Sequence, residues 1–173
     1  MKSIILCLLL TMGLFHLSYS QNPYRDQILQ QARVITRATE KNDYSTLAKK
    51  AYPLLQEQMG GVEKMTQTLK EKSKRLFAMG IDLKEIQLGQ PDSLYTAGAE
   101  KHCLVSQSII FETPPGKLKQ ESWLLAISKN EGKDWYFIDV SNLNDKKIKE
   151  LFPDFNPALK IPAEKKAQLL KED

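Results

Sequence analysis

The stretch GGVEKMTQTLKEKSKRLFAMGIDLKEIQL, residues 60–88, contains the change of period that decides the fold. Val62, Met65, Leu69 and Leu76 fall at spacings of three, four and seven, with Phe77 beside the last. That is the repeat of an amphipathic helix. Gly80 is placed to end this helix in a left-handed conformation, which glycine adopts without steric cost. Beyond it, Leu83 to Leu88 reads as a short strand.

Working back toward the N-terminus, the chain stays helical. Asn22-Pro23 opens a first helix, with Asn as N-cap and Pro at the first helical position. Ile28, Ala32, Ile35 and Ala38 recur along it. Lys41-Asn42 interrupts the pattern, and Asp43 caps a second helix carrying Tyr44, Leu47, Ala48 and Ala51 on one side. Pro53 must kink or restart that helix. Leu54, Leu55 and Met59 then lead to Gly60-Gly61. Residues 22–79 therefore predict three helices.

Working forward, the chain becomes strand-rich. Pro91-Asp92-Ser93 reads as a turn and Ala97-Gly98-Ala99 as a flexible connection. Cys103 to Glu112 is β-rich and ends at the turn signal Pro114-Pro115-Gly116. Glu121 to Ser128 and Trp135 to Val140 are two more strands, joined through the hairpin signal Asn130-Glu131-Gly132-Lys133. Trp123, Leu125 and Ile127 share one face of their strand, and Leu124 and Ala126 the other, as in a central strand covered on both sides. Asp145 to Leu151 predicts a short helix. From Pro153 the chain is extended, and its Lys-rich end, residues 163–173, reads as a frayed helix. Helices first and antiparallel strands second predict an α+β fold, with N-terminal helices packed on a curved, mainly antiparallel sheet.

The first twenty residues differ from the rest. Lys2 precedes an apolar run from Ile4 to Leu17, and Ser18-Tyr19-Ser20 ends it with small residues. This is the layout of a cleaved Sec-type signal peptide, and it predicts a secreted or periplasmic protein. The run is too short to span a bilayer, which takes about 20 apolar residues. The expected organisation is a signal peptide over 1–20, one domain over 21–152 and an extended tail over 153–173. After cleavage no transmembrane span is expected. Cys7 leaves with the signal, so the mature chain carries one thiol, Cys103, and no internal disulfide. No Asn-x-Ser/Thr acceptor occurs, which fits a bacterial exported protein.

The whole chain of 173 residues has 25 basic and 21 acidic side chains, a net charge of +4. The signs are interleaved, and the block Lys70-Glu71-Lys72-Ser73-Lys74-Arg75 reads as a solvated helix face. Nucleic-acid binding wants an uninterrupted basic stripe and is not expected. With 42% hydrophobic and 27% charged residues, the composition is that of a globular protein that buries a core.

Two stretches carry a resemblance. Gly60-Gly61-Val62-Glu63-Lys64-Met65 resembles the glycine-led start of the third helix in the nuclear transport factor 2-like superfamily, which includes the SnoaL-type and ketosteroid-isomerase-type domains. Trp135-Tyr136-Phe137-Ile138-Asp139-Val140, after a Gly-containing hairpin, resembles that family's last strand. The likeness covers roughly residues 24–142. It implies a cone, with helices packed into a strongly bent antiparallel sheet and a pocket at the open end, in a small secreted bacterial member. One departure is that the family places a short strand between its second and third helices, where residues 50–59 read as helix. A cystatin-like arrangement is the alternative.

Candidate chemistry is sparse. His102 is the one histidine outside the signal, and no metal-ligand spacing, glycine-rich phosphate loop or nucleophile elbow is present, so no metal or cofactor is expected. His102 and Cys103 are adjacent on a strand and point to opposite faces, which excludes them as a nucleophile–base pair. The reading is a partly exposed His102 and a buried thiol. Asp139 shares a face with Trp135 and Phe137. It is either a carboxylate with its affinity for protons raised among aromatics, able to act as a general base, or a solvated strand end capping the following turn. Tyr95, Trp135, Tyr136 and Asp139 are the candidate ligand-binding residues. The function expected is an exported, non-catalytic domain binding a small ligand or a protein, with a second copy of the chain also open as partner. The alternative is a small cone-fold enzyme, an isomerase, dehydratase or hydrolase, using Asp139 or His102 as acid/base.

Overall fold

The computed structural model describes residues 22–141, 143–163 and 165–171, so the expected signal peptide and its cut after Ser20 lie outside the described residues. The N-terminal region is four helices, not three: α1 (Arg25–Glu40), α2 (Tyr44–Lys50), α3 (Pro53–Gln58) and α4 (Val62–Ala78). Pro53 restarts the chain as the first residue of α3, because its ring cannot follow a helical turn without a clash. The Asp43 carboxylate accepts from the Thr46 backbone N–H at 3.0 Å, the N-cap that the sequence specifies. Asn22 does not cap α1. Its side chain instead turns toward the strands, donating to Cys103 Sγ (3.3 Å) and to the Asp92 carbonyl (3.1 Å), and α1 starts two residues later than the Asn-Pro signal suggests.

Six strands follow: β1 (Asp82–Pro91), β2 (Tyr95–Ala97), β3 (Glu100–Thr113), β4 (Gly116–Ser128), β5 (Tyr136–Asp139) and β6 (Gln168–Leu169), with α5 (Asp145–Leu151) after β5. They form one curved, unclosed antiparallel sheet. The long hairpin β3–β4 is its spine, with Cys103 opposite Ala126 and Phe111 opposite Leu118. Both β1 and β2 pair with β3, on the edge that β4 does not use, and β5 and β6 share the outer edge of β4 in the same way. The register of β1 slips twice, between Leu83 and Glu85 and between Leu88 and Pro91. Such irregularities bend a strand. Gly89 lies in the second slip, where a Cβ would run into Ser106 Oγ.

Both faces of the sheet are covered. On one, Ile28 and Ala32 of α1 pack on Cys103, Val105, Leu124, Ala126, Trp135 and Phe137. On the other, Ile148 and Leu151 of α5, then Phe152 and Leu159, pack on Leu104, Leu125, Ile127 and Ile138. The alternation expected along β4 is what feeds the two cores. Residues 153–161 are irregular and extended as expected, but Leu159 is buried and Phe155 and Ile161 pack against the same core. The boundary at residue 152 is thus one of sequence pattern and not of packing. The expected frayed helix at the C-terminus is instead, at Gln168–Leu169, a short strand on Leu118 and Lys119. Helices α2, α3 and α4 make a third small core around Ala48, Ala51 and Met65.

Candidate functional site

The sheet register sorts the four candidate ligand residues. Tyr95 pairs with His102, His102 with Ile127 and Ile127 with Tyr136, so Tyr95 and Tyr136 lie in one row on the α5 face. Trp135 and Asp139 belong to the α1 face. Trp135 is fully buried, with its indole N–H donating to the Gly132 carbonyl at 3.0 Å. Asp139 is exposed and accepts from the Ser141 backbone N–H (3.0 Å) and from Gln107 Nε2 (3.2 Å). That is the strand-end, turn-capping arrangement. The structure does not bring these four residues together.

His102 is the clearest departure from expectation. It is fully buried, not partly exposed, because β3 runs back to Glu100 and β2 covers its start. Its Nε2 is 3.0 Å from Glu100 Oε2, and the other carboxylate oxygen accepts from the Tyr52 hydroxyl at 2.9 Å. Lys129 Nζ approaches Glu100 to 3.9 Å and lies 5.9 Å from the Tyr52 ring centroid. Burial pushes the Glu100 carboxyl up, but the hydrogen bonds from His102 and Tyr52 and the neighbouring positive charge more than offset it and leave it below the usual carboxylate range. Burial and the same carboxylate push the Tyr52 phenol up. Among the described residues the buried His102 Nδ1 has no hydrogen-bond partner, and the ring packs against Phe152 and Phe155. An imidazole enclosed in this way holds Glu100 and Tyr52 in place but offers no nitrogen to a substrate. Cys103 faces the opposite core, as expected.

A well-formed concavity lies elsewhere. Between α4 and the far end of the sheet is an open groove of about 620 Å³. Leu83 and Ile86 of β1 with Ile109 and Phe111 of β3 form its floor. The floor is apolar because these four residues share one face: Leu83 is opposite Phe111 and Ile86 opposite Ile109. Leu69, Ser73, Leu76 and Phe77 of α4 form one wall, and Leu47 and Tyr44 close the end beside α1. Lys70, Lys72 and Lys74 stand at the α4 rim, with Glu40 and Asp82 also on the margin. Asp82 is bound to Lys84 at 2.9 Å.

The sequence singles out α4, but as a core helix. In the structure only Met65 of its apolar positions is buried, because α4 leans on α2 and α3 and stands off the sheet. Nothing in the sequence marks Phe77, Ile81, Ile109 and Phe111 as lining a site. The parity of Ile109 and Phe111 with Ile86 and Leu83 becomes readable once the β1–β3 register is known. A groove of this volume falls within the roughly 300–1,000 Å³ of small-molecule sites and has their apolar character. Its lining joins this apolar surface to Ser73, three lysines, Glu40 and Asp82, and no group of three or more metal-ligating side chains occurs among the described residues.

No protein-family model matches the chain. No curated protein is significantly similar to it.

Proposed function

We propose that this is an exported, non-catalytic binding domain that holds a largely apolar small ligand between α4 and the β1–β3 end of the sheet. The groove carries the reading: its floor and wall are apolar side chains left half-exposed by a helix that does not close on the sheet. The proposed relationship is to the nuclear transport factor 2-like superfamily. The helices-then-sheet order supports it, and so does a one-residue parallel bridge from Ala51, between α2 and α3, to Phe137, where that family has a short strand. The small-enzyme reading has less support, because His102 is enclosed and both Asp139 oxygens are engaged by neighbours.

The test is ligand capture. Protein purified from its producing cell is examined by native mass spectrometry, and an apolar fluorescent probe is titrated into the delipidated form. Ser73→Trp should fill the groove without removing a core contact, and probe affinity should fall at least about tenfold. Unchanged affinity in that variant, with its melting midpoint retained, would remove the groove from consideration.

A further inference from the structure

We propose that the lip of the groove is a docking surface for an anionic lipid bilayer. In this arrangement Phe77 and Met79 enter the interfacial region while Lys70, Lys72 and Lys74 meet lipid phosphates.

Two independent observations converge on the C-terminal end of α4. The first is apolar. Phe77 is 72% exposed and Met79 61% exposed, two of the four large hydrophobic side chains that the described residues leave in solvent. Single exposed hydrophobics are ordinary, but these two are separated by one residue at a helix end, and Phe77 also lines the groove. The second is charge. Residues 70–84 hold five basic side chains against two acids, Glu71 and Asp82, in a chain whose net charge is +4. Both acids are engaged, Glu71 with Arg75 at 3.9 Å and Asp82 with Lys84 at 2.9 Å. Among the described residues, Lys70, Lys72 and Lys74 have no ion-pair partner. Of the other acids nearby, Glu40 stands on the α1 side and Glu112 lies opposite Asp82 at the β1–β3 end, away from the three lysines of α4 in sequence.

Exposed aromatic and thioether side chains beside unpaired lysines are the chemistry that holds a peripheral protein on an anionic leaflet. A protruding helix end suits a deformable surface better than it suits a protein partner, whose interface takes about 800 Å² from each side. A second copy of the chain docked through the same lip would set these lysines against their own counterparts. A lipid surface instead supplies the opposite charge, and it is also a source of apolar ligand at the groove mouth.

The test uses the full chain and vesicles of equimolar phosphatidylglycerol and phosphatidylcholine. Two variants are compared with the parent by cosedimentation: Phe77→Ser/Met79→Ser and Lys70→Glu/Lys72→Glu/Lys74→Glu. Residues 1–20 are common to all, so differences report the lip. Each variant should bind at least about tenfold more weakly, and the charge variant should lose its deficit on phosphatidylcholine alone. A third variant, Phe77→Trp, keeps the bulk, and the emission it adds over the parent should be quenched by brominated lipid, so the proposal stays testable if a polar variant misfolds. Parent-like binding by both polar variants would overturn the inference. So would added emission from Phe77→Trp that brominated lipid leaves unquenched, or a dimer in sedimentation that protects Phe77. Should vesicle binding be lost as a lip property while probe binding in the groove persists, only this inference falls and the binding-domain reading stands.

Discussion

Glu100 and His102 lie two residues apart on the same face of β3, with His102 Nε2 3.0 Å from Glu100 Oε2 and the ring wholly buried. The pair joins three elements, because Glu100 also holds Tyr52 from the start of α3 and the His102 ring packs on Phe152 from the segment after α5.

The pair gives a pH prediction with a definite sign. The folded Glu100 carboxyl sits below its ordinary value, so its contribution to stability is complete above the unfolded value of about 4.3. That contribution is lost as pH falls through the lower folded value. Urea midpoints should hold between about pH 7 and 5 and drop in more acidic solution. Glu100→Gln should cost about 1.5–3 kcal/mol at neutral pH, the range for hydrogen bonds to a charged group, and should flatten the acid limb. An acid limb equally steep in the variant would mean that other carboxylates govern it.

Cys103 should be an inert thiol. Burial first, then the nearby Asp92 charge, pushes it up to about 12. Its Sγ is enclosed by Asn22 Nδ2 and the Asp92 carbonyl, each at 3.3 Å. Only the thiolate is reactive, so labelling at neutral pH should be slow in the native protein and rapid in denaturant. Fast native labelling would show that the Asn22 turn opens readily.

The two tryptophans should differ. Trp135 is fully buried and its indole N–H is bonded, so Trp135→Ala should cost about 3–5 kcal/mol. Trp123 packs half-buried at the edge of the α5-side core, and its backbone, which bonds Ser141 and Val140, survives substitution. Trp123→Ala should cost less than Trp135→Ala in paired urea titrations. The reverse order would contradict the placement of both rings.

The C-terminal segment should divide near residue 161. Leu159 is buried and Ile161 packs on the core, whereas β6 is two exposed residues and Lys165 meets Glu121 at the surface. A chain ending after Ile161 should lose about 1 kcal/mol or less, since surface ion pairs contribute little. A chain ending after Phe152 should fail to fold stably. In the intact protein, trypsin should cut at Lys165, Lys166 and Lys171 before any site in the sheet. Equal stability of the two truncations would show that the 153–161 segment is dispensable.

Legibility from sequence follows the range of the interactions. The Asp43 cap, the Pro53 restart, α5 and the alternation along β4 depend on neighbours within a few residues, and all are readable. The early start of β3 is not, because Glu100 and Lys101 look like connection until β2 pairs with them, and this hides both the burial of His102 and its carboxylate partner. The division of Tyr95, Trp135, Tyr136 and Asp139 between two faces needs the registers of three strand pairs. The groove needs more still, since apolar periodicity in α4 says which side is apolar and not whether anything meets it.

That last distinction can be measured on α4 itself. Met65 and Phe77 belong to the same helix and to its apolar repeat, yet Met65 is buried among Ala48, Leu55 and Leu69, while Phe77 is mostly in solvent. Met65→Ala should therefore cost about 2–5 kcal/mol, the loss for emptying a packed site. Phe77→Ser should stay within about 0.5 kcal/mol of the parent, as surface substitutions do. Both are read as urea midpoints at constant m-value, which keeps the comparison one of stability and not of a changed unfolded state. A Phe77→Ser cost matching that of Met65→Ala would mean that α4 closes on the sheet in solution. The floor residues Ile86, Ile109 and Phe111 would then be core, and there would be no groove to hold a ligand.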